Sequence, residues 1–225
     1  MKYILAVLSL AILAACNSVP TLQSGPNAEV TFDGLVKVDN TRLDAVWIRP
    51  GIDLSAYDKL TLVGAGIKYR SVREVRRLNL SNDSEFPLDA RQRERIEESV
   101  REVFSEEMAK IDGFEITMED GPGTLALTGT LIDVVSFVPP DRLGNVDYYL
   151  SSLGAATLIL ELSDSMSGQV LARAADGRSI DVNFVTESNR VSNRFELERE
   201  LDRWADVIRN GLESLATTPI LPAEE

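Results

Sequence analysis

Histidine is absent from all 225 residues and there is one cysteine, so the chemistry open to this chain is narrow from the outset. Without imidazole there is no His-based general base, no Ser-His-Asp or Cys-His nucleophile system, and no ligand of the kind transition metals most often use. The cysteine, Cys16, stands at the end of an apolar run whose last residues are Leu13, Ala14 and Ala15. Two other groups of side chains could act on a partner. The segment KYRSVREVRR (residues 68–77) concentrates Lys68, Arg70, Arg73, Arg76 and Arg77 in an otherwise acidic protein, and Tyr148 with Tyr149 forms an aromatic pair in a proline-containing stretch.

The cysteine is placed by what precedes it. Lys2 gives a positive start, residues 4–13 are apolar except for Ser9, and small residues lead to Cys16, the three parts of a secretory signal. The run falls short of the roughly 20 apolar residues that cross a bilayer. Leu13, Ala14, Ala15 and Cys16 resemble the lipobox of bacterial lipoproteins. That resemblance implies a diacylated thiol, cleavage before Cys16 and acylation of the new amine. Two or more chains are needed for stable anchoring, at about 0.8 kcal/mol per buried methylene. Asn17 stands where lipoproteins retained in the inner membrane commonly carry Asp, so the resemblance implies the outer membrane; the periplasmic side is the expected face, and surface exposure the alternative.

The expected domain organisation is therefore a signal peptide at 1–15, an acylated Cys16 with a flexible tether at 16–31, one globular domain at 32–217 and a tail at 218–225. The tether (NSVPTLQSGPNAEV, residues 17–30) has no hydrophobic periodicity and would span roughly 20 Å root-mean-square. With Lys2 removed, the remaining chain has 22 basic and 36 acidic side chains, 22 − 36 = −14. That balance argues against nucleic-acid binding, which needs many cationic phosphate contacts. It also leaves the lipid to hold the protein to the membrane.

The remaining pattern predicts strands and two helices. Short strands fall near 35–38 and 45–48, and a longer one over 59–69 is bent at Gly64 and Gly66. Ile96, Val100, Val103, Phe104, Met108 and Ile111 recur at helical spacing, with Gly113 as the stop. TLALTGTLIDVV (residues 124–135) alternates Leu with Thr, which predicts a strand with one buried face. Asp133 falls on the leucine face of that strand, so a bulge at Gly129 is expected. Residues 136–153 read as a long loop. A hairpin turning at Asp164 to Gly168 follows, then a polar stretch with a short strand near 180–185. Asn193 reads as the cap of a last helix, with Leu197, Leu201, Trp204, Ile208, Leu212 and Leu215 inward and Gly211 close against the sheet.

The order of elements implies an α+β fold: a single domain, mostly antiparallel sheet, with two amphipathic helices packed on one face. FDGL at Phe32, AVWIRPGIDLSAYDKL ending at Leu60, GPGTLALTGTLIDV from Gly121, DSMSGQVLARAADGR and the RWADVI helix together resemble the bacterial lipoprotein family known as domain of unknown function 3313. The resemblance implies an envelope lipoprotein and supplies no catalytic or ligand residues.

The cationic run has two readings, a solvated strand edge that discourages sheet-to-sheet pairing and a docking patch for an anionic envelope protein or glycan. Tyr148 and Tyr149 likewise either pack across the sheet or line a groove. No catalytic, metal or cofactor set is discernible, so the expected function is a non-enzymatic, lipid-anchored binding or scaffold module whose partners are the membrane and another envelope component. The competing functions are a carboxylate-dependent glycan or peptidoglycan hydrolase, which could work without histidine, and a small-ligand carrier.

Overall fold

The computed structural model describes residues 19–72, 84–139, 149–187 and 189–217, with backbone only at 183–187 and 190. The elements are β1 (Thr21–Leu22), β2 (Val36–Asp39), β3 (Ala45–Ile48), β4 (Lys59–Tyr69), α1 (Ala90–Met108), β5 (Glu115–Thr117), β6 (Thr124–Ser136), β7 (Tyr149–Asp164), β8 (Val170–Glu187) and α2 (Arg190–Thr217). The strands form one eight-stranded sheet in the order β1-β2-β3-β8-β7-β6-β4-β5. The parallel pairings are those of β4 with β5 and with β6. The expected α+β domain is thus the observed one.

Leucine alternation builds the inner face. Leu127 lies opposite Leu162 and Leu131 opposite Leu158 on β6 and β7, and Leu162 and Leu160 in turn face Ala172 and Ala174 on β8. These side chains form one cluster with Val103 and Met108 of α1 and Leu201, Trp204, Ile208 and Leu212 of α2, so both helices cover the same face. On the opposite, half-exposed face Arg173 of β8 bridges Glu161 of β7 and Asp33 at 2.9 and 3.0 Å.

Several boundaries differ from the sequence reading. The bulge lies at Asp133, four residues past Gly129. Pairing with β7 slips between Ile132 and Val135, and Asp133 adopts φ 56°. That turns its side chain out of the core and returns Val134 to it. The bend in β4 is where the glycines predicted it, with the register shifting between Gly64 and Ile67. α1 ends at Met108, five residues before Gly113. The expected loop from 136 is shorter at its far end, because β7 already starts at Tyr149. α2 begins at Arg190, because Asn189 rather than Asn193 caps it, accepting from the amides of Val191 and Ser192 at 3.0 Å each. Gly211 is exposed, with no outside heavy atom within 4 Å of a Cβ built there, so it makes no close approach to the sheet.

β8 continues as one strand through the polar stretch to Glu187. Its inward polar residue, Asp176, is 5% exposed and fully partnered. It accepts from the indole Nε1 of Trp204 at 2.7 Å, Nε of Arg178 at 2.8 Å and the Asp44 amide at 2.9 Å. The expected tether is also ordered from Val19 onward. β1 pairs with β2, the Gln23 amide donates to the Lys37 carbonyl at 2.9 Å, and the Gln23 side chain bonds Asp39 and the Glu29 amide. Leu22 packs against the core. Backbone pairing at an open sheet edge needs no apolar periodicity, which is why the composition of this stretch suggested a linker.

Candidate functional site

Among the described residues a concavity lies where β4 and β6 meet the start of α1. It is a groove of about 500 Å³ whose walls include Ile67, Tyr69, Arg70, Phe86, Arg93 and Val134. Two departures from regular strand create it. Gly66, at φ 92°, bends β4, and the left-handed Asp133 bends β6, so that Arg70 and Asp133 come together across paired strands. Only glycine, and sometimes Asp or Asn, visits that backbone region cheaply.

Arg70 is central to the floor. Its Nε donates to Oδ1 of Asp133 at 2.8 Å and its Nη2 pairs with Oδ2, a bidentate clasp, while Nη1 pairs with Glu85. The guanidinium holds the Asp133 carboxyl below the usual carboxylate range, chiefly through these hydrogen bonds, and the two carboxylates push the Arg70 pKa up in return. Beside it the backbone is stitched shut: the Arg70 amide donates to the Val134 carbonyl at 2.9 Å and the Phe86 amide to that of Ser136 at 2.8 Å.

The other wall belongs to α1. Asp89 and Gln92 form a reciprocal capping box, each side chain accepting from the other's amide at 2.8 Å. This fixes the first turn, and Arg93 then lies over the Tyr69 ring, its guanidinium carbon 4.7 Å from the centroid. The Tyr69 hydroxyl donates to the Arg93 carbonyl at 3.3 Å. Burial, and next the Glu97 carboxylate, push the Tyr69 phenol up to about 12, so it stays protonated at neutral pH.

The residues singled out from sequence fall unevenly on this geometry. Lys68 is exposed on β4. Arg70 is occupied by two carboxylates and is not a free cation for a partner. Arg73, Arg76, Arg77, Tyr148 and Cys16 lie outside the described residues. Tyr149 opens β7 opposite Glu187, is exposed, and does not line the groove. Sequence reasoning missed Glu85, Tyr69 and Arg93. It did flag Asp133 as out of place on a leucine face, a signal that marked the site without naming its partner.

Chemically, the arrangement can hold a fixed donor and acceptor array against a ligand, but Asp133 and Glu85 are already engaged by Arg70. Among the described residues, no group of three or more His, Cys, Asp or Glu side chains is placed to hold a metal. No described helix is long and apolar enough to cross a membrane.

The profile of a family described as protein of unknown function, DUF3313, matches residues 26–208. The chain belongs to the DUF3313 family. No curated protein matches it. Among solved structures, this DUF3313 member is similar to a DUF330-family protein from Xanthomonas campestris at 11% identity, covering 80% of this chain and 94% of that one with a TM-score of 0.39. It is also similar to the PelC dodecamer from Paraburkholderia phytofirmans, at 11% identity over 72% and 96% with a TM-score of 0.33. A neuraminyllactose-binding hemagglutinin homolog from Helicobacter pylori matches at 10% identity over 72% and 87%, with a TM-score of 0.40. At these values the likenesses carry no argument about what the DUF3313 chain binds.

Proposed function

We propose that this protein is a lipid-anchored lipoprotein of the bacterial envelope, held at the periplasmic side of the outer membrane through Cys16, and that its domain works as a non-enzymatic binding or scaffold module. The observation that carries the anchor is the single cysteine of the chain, directly behind Leu13, Ala14 and Ala15 at the end of a signal-length apolar run. Acylation consumes the thiol and gives a negatively charged domain a grip that its charge cannot.

The non-enzymatic reading is supported by the state of the carboxylates. A glycosidase acid needs a pKa raised toward neutrality beside a second carboxylate. Among the described residues, the Asp and Glu side chains with a resolved shift, Glu29, Asp33, Asp53, Glu107, Asp133, Asp164 and Glu213, all move downward under hydrogen bonds from cations, hydroxyls or amides. Such groups hold structure together and do not donate protons at neutral pH.

The test is made in the native envelope. Cys16→Ser should abolish fatty-acid labelling and move the protein to the soluble periplasmic fraction, and crosslinking of the wild type should capture a defined envelope component. Membrane association unchanged in Cys16→Ser, or turnover of a glycan by the isolated domain, would refute the proposal.

A further inference from the structure

The docking of β1 turns a question of tether length into one of orientation. If Cys16 carried a free linker of about fifteen residues, the domain could tumble over the bilayer. Instead Thr21 and Leu22 are already paired with Asp39 and Val38, and Gln23 is held by both its backbone and its side chain. The chain from Cys16 to Thr21 reaches at most about 17 Å, and that from Cys16 to Val19 about 10 Å. The headgroup layer on each side of a bilayer is itself roughly 5–8 Å deep. With acyl chains inserted at Cys16, β1 is therefore the part of the sheet held closest to the lipid.

β1 is also an edge strand, the first of eight, and its surroundings are apolar where they meet solvent. Val19 is 63% exposed just before it, Val30 is 55% exposed where the chain bridges to Val36 at the start of β2, and Phe32 is 97% exposed on the turn that follows. No core contact accounts for an aromatic ring on that turn. Of the nearby carboxylates, Glu29 is neutralised by Lys37 at 2.8 Å and Asp33 by Arg173 at 3.0 Å, while Asp39, opposite Thr21, accepts from the Gln23 side-chain amide at 3.0 Å. Arg42, in the connection from β2 to β3, adds an exposed cation. An apolar edge with two of its acids ion-paired, beside the point where the leash emerges, is chemically suited to a headgroup layer.

We propose that the domain lies edge-on at the bilayer, with the β1–β2 edge and its Val19, Val30 and Phe32 in the headgroup layer, Arg42 facing lipid phosphate, and the β5 edge turned away. Exposed apolar side chains seat in the interface, and a cation beside them finds phosphate there. This rests on acylation of Cys16 and goes further by fixing which side of the domain the membrane occupies. The strands then run along the bilayer, so the long β7–β8 ribbon clears it, and the groove beside β4 and β6 faces the aqueous space.

The experiment uses the full acylated chain in phosphatidylethanolamine/phosphatidylglycerol vesicles that contain a headgroup-linked quencher lipid. Single cysteines at Val30→Cys, Met166→Cys and Met118→Cys carry the fluorophore, since the Cys16 thiol is consumed by the lipid. Met118 follows β5 at the other edge of the sheet, 96% exposed. Eight strands at about 4.8 Å spacing put the two edges roughly 30 Å apart. Quenching should be several-fold stronger at Val30 than at Met118, with Met166 between them. Inserting ten Gly/Ser residues after Asn17 should weaken that contrast, and the insertion combined with Phe32→Ser should erase it. Mass analysis of the N-terminal peptide separates the two levels of the argument. An unacylated peptide refutes the anchor and the orientation together. An acylated peptide with equal quenching at all three sites, or with Met118 quenched as strongly as Val30, refutes the edge-on orientation and leaves the anchor standing. A contrast that survives the combined variant overturns the leash and the apolar edge as its cause.

Discussion

Replacing Asp176 with alanine tests the packing argument most severely, because one buried carboxylate ties three elements together. Its Oδ2 accepts from Trp204 Nε1 of α2 at 2.7 Å and from Arg178 Nε at 2.8 Å, while Oδ1 takes the Asp44 amide just before β3 at 2.9 Å. Trp204 is buried, so its N–H has no water to turn to. Among the described residues, Arg178 would retain Glu200, at 3.4 Å, and its stacking over the Trp204 ring at 5.8 Å. Removing one member of a buried, hydrogen-bonded charge pair costs about 3–5 kcal/mol. For a domain of this size each kcal/mol moves Tm by roughly 2–4 °C, so Asp176→Ala should lower Tm by roughly 6–20 °C. Asp176→Asn keeps one acceptor for the indole and should cost less. The assay is urea unfolding of Asp176→Ala, Trp204→Phe and the double mutant. Once the carboxylate is gone the indole N–H is already unsatisfied, so Trp204→Phe should cost about 1–2 kcal/mol less in the Asp176→Ala background. Additivity within about 0.5 kcal/mol would refute the account of Asp176 as the joint between β8, β3 and α2.

Two glycines should respond in opposite directions. A Cβ at Gly154 would meet the Val135 carbonyl oxygen at 2.3 Å, so Gly154→Ala should force the β6–β7 bulge apart and destabilise by more than about 2 kcal/mol. Gly211→Ala, exposed inside α2, should instead stabilise by about 1 kcal/mol; thermal unfolding of both variants checks the pair. Glu107, placed between Lys110 and Arg209 at the α1–α2 contact, has its pKa held below the ordinary 4.5, first by Lys110 and then by Arg209. A carboxylate depressed in the folded state contributes stability that is complete above its unfolded value and disappears as pH falls through the folded one. Urea midpoints should therefore be flat above about pH 5 and fall below 4.5, less steeply in Glu107→Gln than in the wild type.

How far the sequence could be read depended on whether a segment's partners were of one kind. β6, β7 and the start of β8 alternate leucine or alanine with threonine and polar residues because one face meets helices and the other meets water. The hairpin turn was legible for the same local reason: Asp164 accepts from the Ser167 amide at 2.7 Å and Gly168 takes φ 68°, roles that their residue types announce. The far half of β8 broke the pattern. Asp176 and Arg178 point inward but satisfy each other and α2, so the inward positions look polar, and no periodicity can announce a carboxylate whose partner is a tryptophan 28 positions later. Local capping was similarly ambiguous at α2, where Asn189 and Asn193 both precede helical sequence and the earlier one takes the role.

The groove was illegible for a topological reason, and that reason bears on what the protein does. Glu85 and Asp133 lie 15 and 63 positions from Arg70, and the three converge only because two strands bend at the same level of the sheet. The cationic run that looked like a docking patch is thereby divided: Arg70 is spent on holding β4 to β6, while Lys68, on the same strand, stays exposed. In the proposed edge-on setting these features fall on the side of the sheet that the bilayer leaves open, because β4 is the seventh strand counted from β1. The charge of the chain works in the same sense. Anionic headgroups repel the domain as a whole, acyl chains at Cys16 would hold it down, and the ordered β1 leaves little slack in which those two forces could average out. Repulsion would then act as a torque that lifts the acidic bulk about the anchored β1 edge, where Glu29 and Asp33 are ion-paired. In that proposed setting a partner approaching from the aqueous phase would meet Lys68 and the Tyr69 groove first, so a binding role would fall on the β4 side and the membrane contact on β1.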